Sequence, residues 1–136
     1  MNSKNARLEV VAFVLIALMT LLQGFYGIFA YVDPESFAIL RGTELVAEGD
    51  LDWVRIYASR TMFVALIIGF LLYKKDYKLL MWAALFGIVM PITDGLLAYE
   101  AQAATKVIVK HAATVVYLLV ISMVMKALVA KDGRPK

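Results

Sequence analysis

Arg60, Asp94 and His111 lie inside three different apolar stretches of this 136-residue chain, each toward the same end. Ionisable groups are costly in hydrocarbon, so those inside membrane spans usually face the bundle interior and mark a site. Their chemistries differ. An arginine can hold an anionic group or stabilise developing negative charge. A carboxylate and an imidazole can move protons, which makes Asp94 and His111 the candidate catalytic residues if a reaction occurs. No serine or cysteine nucleophile with a base is visible, and nothing resembles a phosphate loop. One histidine is too few for a usual metal site, so no metal and no cofactor is expected.

The elements that must position these residues are hydrophobic helices. Apolar residues make up 62% of the chain and charged ones 18%, against about 45–50% and about 25% in a soluble domain. Cysteine is absent, which removes disulfide and thiol chemistry. Four spans are expected, over about 10–32, 53–73, 79–99 and 107–126. The first runs 23 residues without a charge, longer than a signal-peptide core, and reads as an uncleaved anchor. The connections at 74–78 and 100–106 are short, so the later helices are antiparallel neighbours. The fold class is all-α, one four-helix membrane domain over residues 1–136.

Lys and Arg placement gives the orientation. Nine lie on the side of the termini and the 74–78 turn, among them Arg7, Lys74, Lys126, Arg134 and Lys136; four lie opposite, Arg41, Arg55, Lys106 and Lys110. Both termini are expected in the cytoplasm, probed by a C-terminal phosphatase fusion, with a longer extracytoplasmic connection at 33–52. The +3 net charge thus sets topology, not nucleic-acid binding. Within that connection, which includes Glu48, Asp33-Pro34-Glu35 reads as a helix start and Gly42 as its end, forming a short interfacial helix over the outer mouth.

Periodicity brings the polar residues together in the outer half. Ala84, Gly87, Pro91, Asp94 and Ala98 form a small-residue stripe that permits close helix approach. Pro91 cannot donate to the Gly87 carbonyl and kinks the span below Asp94. His111, Thr114, Leu118 and Ser122 share a face of the fourth span. Ile56, Arg60, Val64 and Ile67 do so in the second, with Tyr57 beside Arg60, while Gln23 and Tyr26 enter from the first. The expected ligand-binding set is Arg60, Asp94, His111, Gln23, Tyr26, Tyr57 and Thr114. Lys110, Tyr99 and Glu100 flank span ends and read as interface residues. In a purely structural account, Arg60 and Asp94 form an ion pair completed by His111 and Gln23.

Ser59-Arg60 with Gly69, Ile92-Thr93-Asp94 and Lys110-His111 resemble motifs of uncharacterised small bacterial four-helix membrane proteins of the DoxX-like kind. The similarity covers about residues 53–124, with Thr61 where those proteins often carry an acid. It implies the bundle, a bacterial inner-membrane location and an Arg/Asp/His layer, but no assigned reaction. Three functions stay open. The bundle binds a lipid or small amphipathic ligand in an outer polar cavity; or it is an enzyme on an isoprenoid or sterol-like lipid, using Asp94 and His111 for proton transfer; or it is a structural or accessory subunit, alone as a homo-oligomer or beside a membrane partner. A multidrug antiporter is disfavoured because the first span carries no carboxylate.

Overall fold

The computed structural model describes residues 3–47 and 49–132; Glu48, Arg134 and Lys136, used above, lie outside them. Every element is a helix: α1 (Ser3–Val32), α2 (Pro34–Arg41), α3 (Asp50–Tyr73), α4 (Tyr77–Gly87), α5 (Val89–Glu100) and α6 (Thr105–Asp132). Ala6–Val32, Asp50–Tyr73, Tyr77–Glu100 and Thr105–Ala130 are long and apolar enough to cross a bilayer. Large apolar side chains such as Phe13, Leu21, Phe70 and Met123 face outward, as they must where lipid is the solvent. The chain is an integral membrane protein built as a four-helix bundle.

Local chemistry explains the element ends. The Asp33 side chain accepts from Ser36 N at 3.1 Å, and Pro34 opens α2 without needing an amide partner. Gly42 closes α2 at φ 84°, where a Cβ would come within 2.7 Å of Ala103 Cβ and 2.9 Å of Val107 Cγ1. Both the backbone conformation and the space therefore demand glycine. The expected short helix at 34–41 is thus present. Asp50 accepts from Val46 N and Ala47 N, tightening the approach to α3. Asp76 caps α4 through Leu79 N at 3.0 Å.

The expected disruption near Pro91 takes the form of a break. The third span divides at Ile88, whose amide bonds back to Leu85 O at 3.4 Å in a tightened turn. The ring nitrogen of Pro91 leaves the Gly87 carbonyl without its helical donor, so the interruption falls one turn before the proline.

Helices pair as α1 with α3, and as α6 with α4 and α5. At the end holding the termini and the 74–76 turn, a core forms from Ala12 and Ile16 of α1, Leu72 of α3, Leu80 of α4, and Ile121, Met125 and Leu128 of α6. Gly27 lets α1 approach α3 at the other end, since a Cβ there would lie 3.2 Å from Met62 N and 3.3 Å from Ala58 O. There Ala30, Phe37 and Ala58 are buried, with Tyr26, Phe29 and Tyr57 packed around them. Phe37 of α2 is the hub, with ring centroids 5.4 Å from Tyr57, 5.8 Å from Phe29 and 5.9 Å from Tyr26.

Candidate functional site

Phe37 and Arg41 lie four residues apart on α2, so one helix face presents both. With Phe37 fixed among the aromatic rings, Arg41 reaches down from the helix and pairs with Asp94 of α5 through Nη2 and Oδ2. Both side chains are largely shielded. The Arg41 guanidinium also lies 5.8 Å from the Tyr57 ring centroid, within cation–π range. A second tie comes from α6, where Lys110 Nζ donates to Leu40 O at 2.7 Å. Lysine satisfies one of the carbonyls that a helix end leaves open.

This pairing corrects the expected Arg60–Asp94 ion pair. The sequence places Arg41 in a connection outside the spans, but α2 folds back over the bundle and brings it to the carboxylate. Arg60 is exposed and forms no ion pair among the described residues. The expected inward face of α3 holds in part: Arg60, Val64 and Ile67 line the interior cavity and Ile56 does not, while the buried residues of the helix are Ala58, Thr61, Ala65 and Leu72. Gln23 does not complete the ion pair either; its Nε2 lies 3.7 Å from Met19 Sδ.

His111 is only 3% exposed, the deepest polar residue of the layer. Its burial follows from Gly95, where a Cβ would stand 3.3 Å from His111 Cβ, so α5 and α6 come together against the imidazole. Nε2, however, is the buried side-chain atom without a hydrogen-bond partner among the described residues. Such a group costs about 1–3 kcal/mol when left unsatisfied, so it needs an explanation.

His111 also lines a cavity of about 530 Å³, within the size range of ligand pockets. Its walls are strongly graded. Arg41, Arg60, Asp94, His111 and Thr114 line it toward the α2 end, with Gln23, Tyr26 and Tyr57 nearby; Ile16, Ile68, Leu80, Leu118 and Ile121 line it toward the core. From His111 to Ile121 along α6 is about 15 Å by helical rise. All seven residues of the expected binding set therefore line one cavity, together with Arg41 and the buried Thr61, which the sequence reading did not include. The signal for Arg41 was available in the Asp33 cap and the Phe37/Arg41 spacing. Tyr99, Glu100 and Lys110 lie off this wall, and Thr114 Oγ1 bonds to Lys110 O at 3.0 Å.

Chemically, the polar end offers one imidazole nitrogen, a carboxylate already paired to an arginine, and a second guanidinium without an ion-pair partner among the described residues. No curated protein and no solved structure matches the chain. The motifs that resemble DoxX-like proteins gain no support from these comparisons. Residues 10–125 match the model of a family described as a domain of unknown function (DUF4267), and the chain belongs to that family.

Proposed function

We propose that this bundle holds a bilayer lipid or small amphipathic molecule, with the polar group of the ligand against His111 and its apolar part along Ile68, Leu118 and Ile121. The observation that carries this reading is the buried, unpartnered Nε2 on the wall of a graded cavity. A neutral imidazole nitrogen gives or takes one hydrogen bond according to its tautomer, and an amphipathic ligand supplies that bond. The Arg41–Asp94 pair has a different part: it fastens α2 over the polar end and leaves the remaining lone pairs of Asp94 for the same ligand. The α2 end then corresponds to the extracytoplasmic side.

Native mass spectrometry of the detergent-purified protein beside His111→Leu tests the reading, with bound species identified by fragmentation. A defined small molecule is expected on the wild type and at least about tenfold depleted on the variant, the loss of one hydrogen bond to a buried group. Identical, unselective lipid profiles on the two proteins would defeat it and favour a structural role for the layer.

A further inference from the structure

Between the two helix pairs the bundle is not sealed. α3 meets α4 beside the turn that joins them, but α3 and α5 scarcely touch. The cavity reaches the molecular surface there. Phe63 and Ile67 of α3 and Val89 and Met90 of α5 line it while also exposing much of their area outward. These are apolar side chains on spans surrounded by lipid, so the crevice opens to the bilayer interior, not to water.

Arg60 stands on this crevice. It lines the cavity, is exposed, and has no ion-pair partner among the described residues. Among the described residues Asp94 is the one acid on the cavity wall, and Arg41 already occupies it. Two guanidiniums thus face one carboxylate, leaving a positive charge uncompensated in a span where such charges are expensive. An anion brought by the ligand cancels it, through the forked hydrogen bonds that guanidinium makes to phosphate or carboxylate.

We infer that the α3–α5 crevice is a lateral port that admits a single-chain lipid with an anionic head group from the leaflet on the α2 side, and that Arg60 is its head-group receptor. This rests on the reading of the cavity as a lipid site and names its ligand class. A cavity of about 530 Å³ with apolar walls below one polar end suits one hydrocarbon tail, not the two of a bilayer phospholipid.

The test is native mass-spectrometric titration of the full chain in an uncharged detergent, with oleoyl lysophosphatidate, uncharged monooleoylglycerol and inorganic phosphate as probes. Wild type is expected to prefer lysophosphatidate. Arg60→Gln should weaken that binding about tenfold while leaving the glyceride unchanged, and Arg60→Lys should restore most of it. Equal lysophosphatidate affinity in wild type and Arg60→Gln overturns the assignment. So does inorganic phosphate binding as tightly as the lipid, which would make this an ion site. If wild type binds neither amphiphile, the ligand reading of the cavity fails, and the port with it.

The port is tested separately with Arg60 intact. The chain has no cysteine, so Val64→Cys combined with Met90→Cys can be bridged by a flexible bismaleimide. Bridging should stop uptake of lysophosphatidate from vesicles, while each single variant treated alike still takes it up. Undiminished uptake through the bridged protein overturns lateral access.

Discussion

The two ends of this bundle solve the membrane problem in opposite ways. Toward the termini, Leu80, Ile121 and Met125 are fully buried and fill the space between helices with hydrocarbon. Toward α2, the interior holds charges, aromatic rings, an unpartnered imidazole and empty volume. Packing dominates at the first end, with the Tyr117 hydroxyl donating to Leu15 O at 2.7 Å between α6 and α1. The second is held by directional contacts of the short helix α2, and these leave one polar atom unsatisfied. Filled and unfilled interior are therefore divided along the helix axes, and under the proposed reading stability and binding divide with them.

The largest effect is expected from separating the pair that fastens the α2 end. Asp94→Asn strands Arg41 in a shielded site and should cost about 4 kcal/mol, read as a lowered unfolding transition in detergent. Combining Arg41→Met with Asp94→Leu removes both charges and should recover most of the loss. A double variant as unstable as the single would show that the pair is not the fastening.

Next in size comes the packed end. Met125 has no exposed area and lies off the cavity wall, and Met125→Ala should cost about 3 kcal/mol through lost contacts and a cavity, with lipid binding unchanged. If binding instead falls as far as stability, the two ends are not independent. The smallest change in stability is expected at the most unusual residue. His111→Leu keeps apolar volume and deletes an unpartnered nitrogen, so the delipidated protein should shift by no more than about 1 kcal/mol. A severe loss of stability there would mean that the imidazole supports the fold.

Much of this was legible in the sequence, for reasons visible in particular residues. The number of spans follows from the length of the apolar runs, since a bilayer sets that length. Asp33-Pro34 and Gly42 announced α2 through local backbone chemistry. Asp94, His111 and Thr114 fell together because the third and fourth spans are joined by a short turn that fixes their register. Two things were hidden. The partner of Asp94 lies 53 residues away along the chain, in a segment that hydropathy assigns to the surface. The most closely packed face of α3 was also unreadable, because lipid is as apolar as a helix interface and inward and outward faces look alike. Arg60, Val64 and Ile67 do line the cavity as expected, but Ile56 does not, and the buried residues of α3 are instead Ala58, Thr61, Ala65 and Leu72.

Arg41 holds Asp94 and lines the same cavity as His111. Under the proposed reading, docking of α2 and occupancy of the cavity belong to one linked equilibrium. A ligand that binds only the docked form raises the free energy of lifting α2 by RT ln(1 + [L]/Kd). Amide hydrogen exchange at residues 38–43 then becomes an optical-label-free gauge of loading, slowing by the factor 1 + [L]/Kd as the cavity fills.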